Sequence, residues 1–214
     1  MNVFKYGNPD SSAVLIQLVD EHDLDMIENE IAYINENTAT DFQMIAIKIP
    51  DWNKDLSPWR APAVFGKDDF GDGAARTLEE VLKYTSDKSK TYYIGGYSLA
   101  GLFALWAVYQ TDVFSGVAAA SPSAWFPGFY EYMTNNDIKT DLIYLSLGDK
   151  EEKARNPVMA TVGDRIRAMN TLLQTQKKSC TLEWNPGNHF KDPDIRMAKA
   201  FSYILNLTAQ PKSI

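Results

Sequence analysis

The chain has 214 residues, of which 45% are hydrophobic and 23% charged, and its formal net charge is −7. This composition is typical of a globular protein with one sizeable core, and we predict a single domain over residues 1–214. The acidic balance argues against nucleic acid or an anionic membrane as the main partner. The longest apolar run, near Leu102–Val108, falls well short of the roughly 20 residues that span a bilayer.

Cysteine content and the N-terminus bear on location. Cys180 is the single cysteine, so no disulfide can form within the chain, which fits a reducing compartment. Residues Met1–Lys5 lack the basic and then apolar layout of a signal peptide. We therefore expect a cytoplasmic protein. The sequence does not define an oligomeric state.

In the first half of the chain, apolar runs typical of buried strands alternate with apolar residues at helical spacing. The segment Asp51–Asp72 has no clear period and contains several prolines and glycines. Such a long irregular segment in a compact domain is usually functional or mobile, and the sequence does not determine whether this one closes over a site. The predicted elements are a strand at Val14–Val19, a helix with Leu24, Ile27, Ile31 and Ile34 on one face, a strand at Met44–Ile49, and a helix from Ala74.

The second half continues the alternation of strands and helices, which predicts a mostly parallel central sheet with helices on both faces and no large lid domain. Ligands bind such sheets at the carboxyl ends of the strands. The predicted elements are a strand from Thr91, a helix through Leu102–Trp106, a strand at Gly116–Ala120, an irregular aromatic stretch at Trp125–Tyr130, a strand at Leu142–Leu147, a helix capped by Asn156-Pro157, a strand at Cys180–Trp184, and a helix after Asp192-Pro193.

The junction between the strand from Thr91 and the next helix carries a serine, Ser98, between small residues. A nucleophilic serine on a tight strand-to-helix turn needs small residues two positions to either side, and here they are Gly96 and Ala100. The pattern Gly-x-Ser-x-Gly is thus met with alanine in its last place. A helix-capping serine is the alternative, but the strand before it and the apolar helix after it favour a nucleophile.

Two later strands end in loops that could activate this serine. Carboxylates at Asp149, Glu151 and Glu152 follow one strand, and His189 follows the last. The order serine, acid, histidine is that of α/β-hydrolases, in which the imidazole is the base and a carboxylate orients it. Spacing alone does not choose among the three carboxylates. The other histidine of the chain, His22, follows the first strand, where a surface or substrate-contacting role is expected.

Other kinds of site residue are also predicted. No second histidine or cysteine accompanies the carboxylates at ligand spacing, so we predict neither a metal nor a cofactor. An oxyanion hole needs two backbone N–H donors. We expect them from Leu99, which follows the serine, and from Asp20 in the loop after the first strand. Trp125 and Trp52, in irregular segments, are the predicted substrate contacts.

The sequence resembles the esterase D and enterochelin-esterase-like branch of the α/β-hydrolases. The resemblance rests on Gly95–Leu105, Ser121–Trp125, Gly148–Glu151 and Gly187–Phe190. It implies that Glu151 is the triad acid. Two departures are that Asp20-Glu21 stands where the family usually has His-Gly, and that the chain is short for the family.

These observations predict a serine hydrolase that cleaves a small-molecule carboxylic ester or thioester through Ser98, His189 and an acid. An acyltransferase with the same triad would have the same sequence signals. A non-catalytic binding protein on a hydrolase scaffold is a third hypothesis, and the acidic residues at the oxyanion loop are its only support.

Overall fold

In the computed structural model, which describes residues 1–208, the strands form one seven-stranded sheet in the order β1-β3-β2-β4-β5-β6-β7. β1 pairs with β3 in antiparallel fashion, and the other neighbouring strands pair in parallel. The strands are β1 (Asn2–Gly7), β2 (Ala13–Val19), β3 (Phe42–Lys48), β4 (Thr91–Tyr97), β5 (Phe114–Ala120), β6 (Leu142–Gly148) and β7 (Ser179–Asn185).

Helices cover both faces of the sheet, because its central strands are apolar on both sides. α1 and α7 pack on one face, and α3, α4 and α6 pack on the other. The predicted α/β-hydrolase architecture is therefore confirmed. The helices are α1 (Glu21–Asn37), α2 (Trp52–Asp55), α3 (Ala74–Leu82), α4 (Ser98–Gln110), α5 (Phe129–Thr134), α6 (Val162–Thr175) and α7 (Pro193–Thr208), with short 3₁₀ helices at Glu151–Lys153 and Met159–Thr161.

The helix that follows the serine turn is the most buried in the protein. Every residue of α4 from Leu99 to Tyr109 is buried. A helix that is apolar all round packs on several sides, whereas surface helices carry a single apolar stripe. This burial fixes the start of α4, and with it the position of Ser98, against the carboxyl end of β4.

The structure differs from the sequence-based predictions at a few elements. β1 was not predicted, because it is a mostly exposed edge strand without an apolar run. The short helix α2 lies within the segment Asp51–Asp72 that was predicted to be irregular, and α5 begins at Phe129, within the predicted irregular stretch Trp125–Tyr130. α6 begins at Val162 rather than just after Asn156-Pro157; the Asn156 side chain accepts hydrogen bonds from the amides of Val158 and Met159 and caps a turn instead. Within residues 1–208 no helix is long and apolar enough to cross a bilayer.

The buried carboxyl group of Glu30 makes the stability of the folded protein depend on pH. Its side chain lies under α1 at 2% exposure and accepts one hydrogen bond from Gln17 at 3.1 Å. Burial raises the pKa of this carboxyl well above its usual value. The folded state therefore binds this proton more tightly than the unfolded state, and the contribution of Glu30 to stability falls as pH rises.

We expect Glu30→Gln to raise the free energy of unfolding at pH 8 by at least about 1 kcal/mol, since the variant has no buried charge to desolvate. The gain over the native protein should shrink as pH falls towards the ordinary pKa of glutamate. Urea unfolding of both proteins from pH 4 to pH 8 measures the difference. A gain of the same size at every pH would contradict this account.

Candidate active site

Ser98 lies at the tight turn between β4 and α4. Its φ is 57°, in the left-handed region that non-glycine residues rarely adopt. Such strain persists only where the surroundings hold it, and it is characteristic of a nucleophile on a strand-to-helix turn. The serine hydroxyl is thereby presented above the carboxyl edge of the sheet.

The small residues beside Ser98 are required by close backbone contacts. A Cβ atom at Gly96 would lie 2.6 Å from both the carbonyl carbon and the Cβ of Ala100. A Cβ at Gly101 would lie 2.9 Å from the Gly96 carbonyl oxygen. Alanine in the last motif position therefore fits the turn, provided that Gly96 stays a glycine.

We expect Gly96→Ala to lower kcat by roughly tenfold or more, because the added methyl group displaces the turn that carries Ser98 and a small misplacement is costly in catalysis. Gly116→Ala, in β5, is the matched control, since the nearest atoms to its new Cβ are at 3.3 Å. Ester turnover by folded preparations of both variants makes the comparison. Equal activity of the two variants would show that the contact at Gly96 does not position the serine.

The structure brings the three predicted catalytic side chains into one chain of hydrogen bonds. Nε2 of His189 lies 3.0 Å from Oγ of Ser98, and Nδ1 of His189 lies 2.7 Å from Oε2 of Glu151. With its proton on Nδ1 and directed at the carboxylate, the imidazole leaves Nε2 free to accept the serine proton. These contacts are the ones that a serine nucleophile, an imidazole base and an orienting carboxylate would make.

Glu151 is held by donors on both oxygens. Its second oxygen, Oε1, accepts from the Gly148 amide at 2.7 Å, the Ser121 hydroxyl at 2.8 Å and the Arg196 guanidinium at 2.8 Å. Burial alone would raise the pKa of Glu151, but hydrogen bonds from His189, Gly148 and Ser121 favour the charged form and place the pKa below its usual value. The acid beside the histidine is therefore a carboxylate at neutral pH.

Arg196 on α7 joins the acid to the loop that carries the base. It is 2% exposed and donates to the carbonyl oxygens of Pro186 at 3.2 Å and Asn188 at 2.8 Å, on the loop just before His189. It also donates to the Tyr97 hydroxyl, which in turn donates to the carbonyl oxygen of His189 at 2.8 Å. The buried Arg196 guanidinium thus connects Glu151, the end of β4 and the loop just before His189 (residues 186–188, called the base loop below).

The two other candidate acids lie outside this network. The Glu152 carboxylate pairs with Arg167 at 2.8 Å on the surface. The Asp149 carboxylate accepts from the Gly187 amide at 2.8 Å and so braces the loop before His189. Of the three carboxylates, the one that contacts the histidine is Glu151.

The two amides predicted to form an oxyanion hole, those of Leu99 and Asp20, lie in different settings. Leu99 lies in the first turn of α4, where an N–H group has no acceptor within the helix. The Asp20 amide, by contrast, donates to Asp23 Oδ2 at 3.0 Å in a capping box at the start of α1. Its expected role as second donor is therefore wrong for this conformation, because the N–H is already used. Burial and the neighbouring Asp20 raise the pKa of Asp23 to about 6.

Two cavities meet at Ser98 and His189. The smaller has a volume of about 190 Å³ and is bordered by Asp20, His22, Asp23, Trp52 and Phe190, among others. The larger has a volume of about 720 Å³ and includes Trp125 and Trp52 in its wall. Both predicted substrate-contacting tryptophans therefore line cavities that open on the serine, and the competing histidine, His22, borders the smaller one.

The sequence reasoning assigned no site role to Tyr97, Ser121 or Arg196. Ser121 stands in the resembling segment Ser121–Trp125, so a signal for it existed. The sequence did not indicate a role for Arg196. It lies in α7, and the sequence pattern of that helix showed only an apolar stripe. Its role depends on packing between α7 and the carboxyl end of the sheet.

No protein-family profile and no curated protein sequence matches the chain. Solved structures do resemble it. A siderophore hydrolase, EstA from Aspergillus nidulans, superposes with a TM-score of 0.71 at 20% identity, over 95% of this chain and 86% of that one. An IroE-like serine hydrolase from Shewanella oneidensis gives 0.76 at 14% identity, over 98% and 77%.

The enterobactin esterase Fes from Shigella flexneri superposes with a TM-score of 0.65 at 13% identity, over 96% of this chain and 55% of that longer protein. At these identities the likeness defines the fold, which is that of α/β-hydrolases. The neighbours are proteins of the branch that the serine and histidine motifs resemble.

Proposed function

We propose that this protein is a serine hydrolase that cleaves carboxylic esters or thioesters through an acyl-enzyme on Ser98. The observation that carries the proposal is the chain of hydrogen bonds from Ser98 through His189 to the ionised Glu151. The motif resemblance and the named esterases among the structural neighbours support the same reaction class.

In the first half of the reaction, Oγ of Ser98 attacks the ester carbonyl carbon while Nε2 of His189 takes the hydroxyl proton. Glu151 stabilises the imidazolium, and the Leu99 amide donates to the oxyanion. Collapse of the tetrahedral intermediate breaks the bond to the leaving group. That alcohol or thiol departs with the proton from His189.

In the second half, water enters and His189 removes its proton as the oxygen attacks the acyl carbon. The second tetrahedral intermediate collapses, the acid product leaves, and Ser98 regains its proton from the imidazolium. His22 borders the smaller cavity, and its amide lies in the first turn of α1, where an N–H group has no acceptor within the helix, so this amide is the candidate to complete the oxyanion hole once a substrate binds.

A panel of short-chain, aryl and thioester substrates tests the proposal, with Ser98→Ala as the matched control. The native protein should hydrolyse at least one class, and the variant should not. Product analysis with and without added alcohols identifies the acceptor, since an acyltransferase would form a new ester in place of the free acid. If no substrate class is hydrolysed in a way that depends on Ser98, the proposal is overturned.

A further inference from the structure

The larger cavity beside the nucleophile is predominantly apolar. A 720 Å³ space is ample for a ring or a medium-length chain attached to the reacting carbonyl. Apolar walls favour an apolar group by removing its surface from water. The apolar wall of this cavity includes Trp52, Phe65, Trp125, Met159, Val162 and Phe190.

Two lysines, Lys150 and Lys153, also line this cavity, and both are exposed. Lys150 is the N-cap of the 3₁₀ helix Glu151–Lys153 and Lys153 is its last residue, and residues three apart in such a helix lie on the same side. The Lys150 amide donates to the Gly187 carbonyl oxygen at 3.1 Å, which anchors this turn to the base loop. Both lysines and His189 therefore line the same cavity.

The carboxylates nearby have other partners, and the Asp149 carboxylate, next to Lys150 in the chain, accepts from the Gly187 amide. Glu151 is buried and shared between His189 and Arg196. Glu152 is paired with Arg167. Neither lysine forms an ion pair with any carboxylate in the part of the chain that is described. Although the protein has a net charge of −7, the wall of the larger cavity thus includes two lysines without an ion-pair partner among residues 1–208, beside the buried carboxylate of Glu151.

We infer that the part of the substrate that occupies the larger cavity, on the acyl or the alcohol side of the ester, is an apolar chain that bears an anionic group. An example of that group is the free carboxylate of a dicarboxylic acid half-ester. The apolar walls take the chain, and the ammonium groups of Lys150 and Lys153 take the anion. This inference rests on the proposed ester hydrolysis and specifies its substrate class. A charged group that remains partly hydrated at the cavity mouth avoids the full cost of desolvation.

The test compares esters of equal chain length with and without a terminal carboxylate. In one series the carboxylate is on the acyl side, as in mono-4-nitrophenyl adipate and suberate against the hexanoate and octanoate. In the other it is on the alcohol side, as in acetates of ω-hydroxy acids against acetates of the matching alcohols. With both series, the result does not depend on whether the acyl side or the alcohol side of the ester occupies the larger cavity.

We expect the native protein to prefer the carboxylate-bearing ester in at least one series. In the double variant Lys150→Gln/Lys153→Gln, that preference, measured as the ratio of kcat/KM for the carboxylate-bearing ester to kcat/KM for the neutral ester, should fall by roughly threefold to thirtyfold, as expected for the loss of two exposed ion pairs. Added salt should weaken the native preference. Lys88→Gln is the matched control: it removes a charge from the loop before β4, at the amino end of the parallel strands, and should retain the native preference.

A preference for the neutral esters in both series, or a preference that survives the double substitution, would overturn the inference. Absence of hydrolysis with every ester would instead refute the proposed function. In that event, binding of adipic acid monoamide and hexanamide to the Ser98→Ala protein, measured by calorimetry, still decides the inference. Tighter binding of the monoamide that depends on the two lysines supports it, and equal binding overturns it.

Discussion

Glu151→Gln is expected to lower kcat by about 10³- to 10⁴-fold. The amide has nearly the shape of the carboxylate, and its oxygen can still accept from Gly148, Ser121 and Arg196. Its NH₂ group must then face Nδ1 of His189, which forces the imidazole proton onto Nε2. That tautomer cannot accept the proton of Ser98.

Glu152→Gln is the matched control for this substitution, because it makes the same chemical change one residue away. Its carboxylate pairs with Arg167 on the surface and is 33% exposed, so turnover should change less than about threefold. Steady-state kinetics on any ester that the native protein hydrolyses gives both values. Equal and small losses in the two variants would show that Glu151 is not the triad acid.

Arg196→Met is expected to lower the free energy of unfolding by about 3–5 kcal/mol. The methionine would fill much of the volume, but it would leave the Glu151 carboxylate buried without its cation. The carbonyl oxygens of Pro186 and Asn188 would also lose their donor. At a few degrees per kcal/mol for a domain of this size, the midpoint of thermal unfolding should fall by roughly 10 °C.

Arg167→Met provides the contrast for Arg196→Met. The Arg167 side chain is 46% exposed, pairs with Glu152 and lies over the Trp184 ring. Loss of such surface contacts should cost less than about 1 kcal/mol. Chemical denaturation of both variants measures the costs. A loss at Arg196 as small as that at Arg167 would contradict the view that the buried pair holds the base loop.

The parts of the fold that the sequence predicted are those fixed by local pattern. Continuous apolar runs identified the buried parallel strands, and Gly96, Ser98 and Ala100 identified the turn, because only small residues fit there. The edge strand β1 was missed, since a strand that is exposed along most of its length has no apolar run. The short helices α2 and α5 were missed because a turn or two of helix shows no periodicity.

In the candidate site, too, the sequence predicted the residues that have a local signal and missed those that depend on contacts between distant elements. Serine, acid and histidine could be placed from their positions after strands, but the choice of Glu151 needed the family resemblance, because three carboxylates shared one loop. Arg196 depends on contacts between elements far apart in the chain. The Asp20 amide was wrongly expected in the oxyanion hole, because its side-chain neighbour Asp23 captures it in a local capping box.

Labelling with a fluorophosphonate probe tests the central claim most directly, because such probes react only with an activated serine. We predict that the native protein is labelled at Ser98, as located by peptide mass spectrometry, and that Ser98→Ala is not labelled. His189→Ala should be labelled far more slowly, since the base that activates the hydroxyl is gone. A correctly folded native protein that takes up no label, or takes it up at another residue, would contradict the account.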